Sequence, residues 1–293
     1  MSTHQPPMPQ APGAPDWQAA PGGSYPGYTS PIPVVRTHLG HAVASEWTKI
    51  RSVRSTIWTL SVFVFLVVGI GLLVGALVSA HASESSLSGT NPLSFGFFGL
   101  LVGNMCVITL GVLTTASEYG TGMIRTTMTA CPSRGRVLAA KAIVFFVVAF
   151  VVSLVSVTFV AMVQSSMLSG SGTESPSGGA WLKATVGVSL YMALLGLLAL
   201  FVGSIIRHSA GGITIMIGLV LAPLVLALFM ATESLHSVRD FLFEYSFPSQ
   251  LGVFYDSTLS GSGPRGWDPL WIMLGLAAVA GAGAYALLRN RDV

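Results

Sequence analysis

Six apolar runs divide the chain, near Ile57 to Ala80, Leu93 to Ala116, Leu138 to Val163, Ala184 to Ile206, Gly211 to Ala231, and Pro269 to Leu288. Each is long enough to cross a bilayer as a helix, which takes about 20 residues at a rise of about 1.5 Å each. The pattern predicts an all-α membrane protein of six transmembrane helices. Only Arg207 to Ala210 separates runs four and five, so those spans form a tight antiparallel pair.

Polar stretches between the runs predict further helices. Over Thr37 to Thr56, Leu39, Val43, Trp47, Ile50 and Val53 fall on one helical arc, with Ser45, Thr48, Lys49, Arg51 and Ser52 on the remainder. This reads as an amphipathic interface helix, Trp47 at headgroup depth and the basic residues facing anionic lipid or a partner. Glu46 and Arg54 interrupt the apolar arc. A carboxylate there needs a cation, either Lys49 one turn on or a basic residue of the Arg125 to Arg136 loop between runs two and three.

That connection, Glu118 to Lys141, is the one inter-span segment dense in basic residues, with Arg125, Arg134, Arg136 and Lys141. Gly120 and Gly122 allow a sharp turn, Met123 to Thr129 has room for about two helical turns, and Pro132 stops them. Ser133 then stands where an N-cap for span three belongs. Thr232 to Asp268, between spans five and six, is studded with aromatic and aliphatic residues. It predicts one or two amphipathic helices lying at the outer interface or dipping into it, with Pro248 as the break.

Composition fits this picture: of 293 residues 52% are hydrophobic and 9% charged, with mean hydropathy +0.72, against about 25% charged in soluble domains. The first 35 residues hold nine Pro and four Gly, no Lys or Arg, and no signal-peptide core, so 1–35 reads as a disordered cytoplasmic tail and 36–293 as the transmembrane domain. Cys106 and Cys131 lie in an apolar run and in the basic connection, and read as structural thiols.

Charge sets orientation. With the N-terminus inside, eleven basic residues fall on one side and three, Lys183, Arg239 and Arg265, on the other. The positive-inside rule makes both termini and the Glu118 to Lys141 connection cytoplasmic. The basic residues thus speak for membrane topology rather than nucleic-acid binding.

The runs carry no ionisable residue in their interiors, the nearest being Lys141, Lys183, Arg207 and His208 at their ends. That argues against ion-coupled carriers, which need buried carboxylates or histidines. No base stands beside an intramembrane serine and no H-E-x-x-H occurs, so a protease is not assembled; His208 reads as a solvated or capping residue. No catalytic, cofactor-binding or metal residue is assigned. Nor is there a G-x-x-x-x-G-K-[ST] loop, so if ATP drives this protein another chain binds it. Gly71 and Gly75, Gly99 and Gly103, and Ala277 with Gly281 recur at spacings that allow close helix approach, either inside one bundle or between two subunits. Asn104 and Pro223 read as a helix contact and a packing kink.

The segments Ala44-Ser45-Glu46-Trp47-Thr48-Lys49-Ile50-Arg51, Ser117-Glu118-Tyr119-Gly120-Thr121-Gly122-Met123-Ile124-Arg125 and Ala130-Cys131-Pro132-Ser133-Arg134, leading to Ala140-Lys141, resemble ABC-2 type permeases of bacterial ABC transporters. The resemblance implies a coupling helix between spans two and three, with Glu118, Gly120, Gly122, Arg125, Pro132, Arg134 and Lys141 at the surface that docks on an ATPase. Beside it the resemblance places the interface helix with Glu46, Trp47, Lys49, Arg51 and Arg54. It further implies a multi-pass protein of the bacterial cell membrane, a permease probed by lipid on its flanks and paired with a second, identical or related, permease subunit. ATP and Mg would be bound by the separate ATPase, and transport would run outward. The alternative is a non-transporting scaffold or immunity protein built on the same bundle.

Overall fold

The computed structural model describes residues 38–81, 87, 89–131, 133–169, 172–173, 175–230, 232–256 and 263–290. The Pro-rich tail, Pro132 and the end beyond Asn290 lie outside the described residues. Ten helices order the rest: α1 Leu39–Ser52, α2 Arg54–His81, α3 Phe97–Gly120, α4 Met123–Ala130, α5 Arg134–Met167, α6 Gly178–Ile206, α7 Ser209–Phe229, α8 His236–Glu244, α9 Phe247–Val253 and α10 Asp268–Asn290. A 3-10 turn, Pro92–Gly96, leads into α3, and α6 contains a π-helical turn at Lys183–Gly187. The helices α2, α3, α5, α6, α7 and α10 are each long and apolar enough to cross a membrane, and no strand occurs among the described residues.

The bundle is built around α6. Its sequence is apolar on all sides, the mark of a helix enclosed by others, and it packs against α3, α5, α7 and α10. Tyr191, Met192, Leu195 and Leu200 are fully enclosed. The outer helices instead turn Phe65, Phe229 and Val279 outward, as spans bordered by hydrocarbon do. Small residues set the distances between helices. A Cβ on Gly111 would lie 2.4 Å from the Gly196 carbonyl oxygen, and one on Gly99 would lie 2.6 Å from that of Val67. Gly71 and Gly75 face Val160 and Gln164 of α5, Gly103 faces Val67 and Phe63 of α2, and Gly281 faces Phe201 of α6. Each of these glycines is therefore used inside the bundle.

At the tight turn from α6 to α7, Arg207 takes a left-handed conformation at φ 58°. The His208 Nδ1 accepts the Gly211 amide at 3.0 Å, so His208 caps α7. The segment between α7 and α10 divides into two behaviours. Helix α8 buries no residue and leaves Val238 and Phe241 exposed, whereas every residue of α9 but Pro248 is enclosed. Phe254, just after α9, packs its ring against that of Tyr191 of α6, centroids 5.7 Å apart and the planes tilted by 54°. One helix lies on the surface and the other sinks into the bundle. Pro248 is not the break: the chain turns at Tyr245 and Ser246, and Pro248 sits in the first turn of α9, where its missing amide is no loss.

Gly111→Ala should lower thermal stability in detergent by about 1–3 kcal/mol, the usual cost of overpacking. Gly218→Ala, with no atom within 4 Å of the new Cβ, should leave the melting temperature unchanged.

Candidate functional site

Helix α1 meets the bundle along Ala42, Val43, Glu46, Lys49 and Ile50, a stripe at helical spacing. It shares only Val43 and Ile50 with the predicted apolar arc. Leu39, Trp47 and Val53 of that arc stay exposed, and Glu46 is the one residue of α1 that is fully enclosed. The physical reason lies opposite it. Lys141 Nζ, two turns into α5, donates to both oxygens of Glu46 at 3.0 Å and to Glu118 Oε1, from the last turn of α3, at 2.5 Å. Lys49 Nζ donates to Glu46 Oε1 at 2.9 Å and also to Glu118 Oε1. Two carboxylates and two ammonium groups thus share one charge-balanced knot of three helices. Glu46 takes the near partner foreseen for it, Lys49, but its distant partner is Lys141 rather than an arginine of the Arg125 to Arg136 loop.

Burial makes the knot consequential. Glu46 and Glu118 are each 4% exposed and Lys141 3%, while the Lys49 side chain keeps 24% of its surface. Lys141 and Glu118 are enclosed, and what permits it is that each carries its counter-charge with it. Burial pulls the Lys49 ammonium downward, but the hydrogen bond to Glu118 and the charges of Glu46 and Glu118 outweigh it and raise Lys49 above the ordinary 10.5. A lysine raised on folding stabilises the fold below its unfolded pKa, and that contribution is lost only as pH climbs through the folded value, so it is fully present at neutral pH. Glu118 Oε2 is buried without a hydrogen-bond partner, beside a cavity of about 10 Å³ that Thr115 and Ser204 also line.

Helix α4 hangs beneath this knot. Gly122 turns the chain at φ 73°, a left-handed conformation other residues resist, and caps α4 as its N-cap residue. Ile124 is buried against the bundle while Arg125 faces outward. Between α1 and α4 runs a groove of about 420 Å³, lined among others by His41, Ser45, Lys49, Thr127 and Cys131.

The remaining predicted residues divide. Gly120 ends α3 with open space around it. Arg134 turns away, its Nη1 donating to the Leu288 carbonyl at 2.6 Å and tying the start of α5 to the end of α10. Ser133 occupies the N-cap position of α5 but its hydroxyl makes no capping bond. Trp47, Arg51 and Arg54 are exposed, Arg54 opening α2. Sequence reasoning missed the convergence of the two lysines, and also Arg207, whose guanidinium lies 4.9 Å above the Tyr119 ring. A signal for the knot was present: from residue 37 to residue 141 the acidic residues are Glu46, Glu84 and Glu118, so the cations outnumber their partners.

A family model described as ABC-2 family transporter protein matches residues 42–236, which include most of α1, the knot and α4. The chain belongs to the ABC-2 transporter family. None of the curated proteins matches it. This ABC-2 chain is therefore a multi-pass permease of an ABC transporter, a membrane component rather than a catalytic enzyme, in a family whose permeases generally work with an ATPase subunit.

Lys141→Met leaves two buried carboxylates to one partly exposed lysine and should cost about 3–5 kcal/mol, whereas replacing all four charges by apolar residues of similar size should be near neutral. Melting temperatures in detergent report both. Raising the pH beyond 10.5 should destabilise the wild type more than the fourfold variant.

Proposed function

We propose that this chain forms the translocation path of an ATP-driven exporter, paired with a second permease subunit and powered by a separate ATPase that docks on α1 and α4. The observation that carries the reading is the shared knot of Glu46, Lys49, Glu118 and Lys141. A docking partner can do work on a membrane bundle only through contacts that differ between two states. Helix α1 is bound by buried charge to α3 and α5, so a displacement of α1 is passed to two spans. Helix α4 continues directly from α3 through Gly122 and offers the partner a second point of contact.

The charge bias supports the orientation: the α1 and α4 end faces the cytoplasm, where an ATPase has its nucleotide. Arg51 and Arg125 are exposed on that end, and in this reading ATP and Mg are bound by the partner. The exposed arc of Leu39, Trp47 and Val53 suits α1 to the lipid headgroup boundary. Outward transport rests on the resemblance in the two cytoplasmic elements.

The test is reconstitution with the ATPase. The complex should co-purify, and Arg125→Glu should lower transport by about tenfold or more, within the usual range of coupling energies, while membrane insertion and melting temperature are retained. Full transport by the chain without any ATPase would overturn the proposal, and a chain that binds no ATPase would favour a scaffold or immunity role.

A further inference from the structure

The end of α3 that carries Glu118 into the knot is held on a second side as well. Val112, Thr115 and Tyr119, at spacings of three and four, share a face of α3, and that face seats on the corner where α6 turns into α7. Three contacts of different kinds make the seat. A Cβ on Gly203 of α6 would stand 2.9 Å from the Val112 carbonyl oxygen, and one on Gly212 of α7 would stand 2.7 Å from the Val112 side chain. Both helices of the corner therefore touch the same residue. Thr115 Oγ1 donates to the Leu200 carbonyl at 2.9 Å, with both residues enclosed. One turn further along α3, the Arg207 guanidinium stands over the Tyr119 ring at 4.9 Å.

Position 207 is an uncommon place for an arginine. It is the C-cap of α6, at φ 58° and ψ 15°, with its amide bonded to the Gly203 carbonyl at 2.9 Å. Helices that end in this left-handed conformation ordinarily use glycine, because a Cβ crowds the following carbonyl. The turn itself gains nothing from a side chain here. What arginine adds is a cation on the face of an aromatic ring, and that ring belongs to the residue between Glu118 and Gly120, just ahead of the turn from which α4 hangs. The grip on α7 begins at the same corner, since Gly212 is the first residue of the stripe that α7 buries, followed by Met216 and Val220.

We propose that Arg207 is a positioning residue for energy coupling. By holding Tyr119 it makes the α6–α7 corner follow the Glu118 end of α3, so that motion entering through α1 and α4 reaches α6 and α7. The proposal rests on the reading that an ATPase drives the chain through α1 and α4. Contacts at Val112 and Thr115 alone would fix a distance but leave a pivot about which α3 could tilt. Tyr119 lies about 6 Å further along the axis than Thr115, at about 1.5 Å per residue. A second hold at that height turns the pivot into a clamp.

The full chain, its two native cysteines replaced by alanine, carries spin labels at Ser117 on α3 and Ala210 on α7, both exposed. Their separation is measured in the reconstituted complex with the proposed ATPase, without nucleotide and in a trapped nucleotide state. With Arg207 present the separation should be the same in both states. Arg207→Gly, which suits the left-handed backbone, should keep the melting temperature and ATPase binding, yet its separation should shift on trapping. Tyr119→Leu should shift in the same way. Arg207→Lys, which keeps a cation at the ring, and Tyr119→Phe, which keeps the ring, should both behave as the parent chain. A nucleotide-dependent separation with Arg207 and Tyr119 intact, or an Arg207→Gly or Tyr119→Leu chain as invariant as the parent, would overturn the proposal while leaving the ATPase reading in place. A parent chain that binds no ATPase would overturn that reading, and the proposal with it.

Discussion

Charge can be buried in a membrane protein only in company, and the organisation of this chain at its basic end follows from that constraint. Glu46, Glu118 and Lys141 are nearly inaccessible, and none of them is tolerable there alone. Each comes from a different helix, so the requirement that they meet fixes the seat of α1, the register of α3 against α5, and the height at which α4 hangs. Lys49 completes the balance from the edge, where its side chain also lines the groove between α1 and α4. Such a knot is poor at raising stability, since apolar replacements of similar size do as well. What it supplies is a fixed geometry between helices.

The rest of the bundle obeys a different rule. Lipid is as apolar as leucine, so spans are not driven together by hydrophobic burial, and close packing has to hold them. Gly111 against Gly196, and Gly99 against Val67, bring backbones into contact around the enclosed α6. A tight frame at the centre and a charged joint at one end make a structure in which force applied to α1 has somewhere definite to go. The opposite end is looser in character, with α8 on the surface, α9 inserted, and a hydroxyl-lined cavity between the connections.

Much of this was legible from the residues alone, for reasons that can be named. An apolar run of about 20 residues has few stable fates other than a span, which is why the six helices appear where the runs lie. Helix α4 was visible because Gly122 and Pro132 bracket a short polar stretch with room for two turns. The seat of α1 was not visible. Its apolar arc was the natural face to bury in water, but beside a membrane apolar residues can remain outward and the acid goes in. Glu118 and Lys141 are 23 positions apart, with a turn and the helix α4 between them, and nothing local in the chain brings them together. The insertion of α9 was open for a similar reason, since Phe247, Leu251 and Phe254 suit a lipid boundary as well as a protein core.

The central claim is that α1, α3 and α5 move as one piece at their charged end. Spin labels at Thr48 on α1 and Ser117 on α3, both exposed, allow their separation to be measured by pulsed electron resonance in the complex with the proposed ATPase, without nucleotide and in a trapped nucleotide state. The account predicts one unchanged distance distribution in both states, broadening only when Lys141 is replaced by Met. A shift of that distance between states in the wild-type charge background would contradict it.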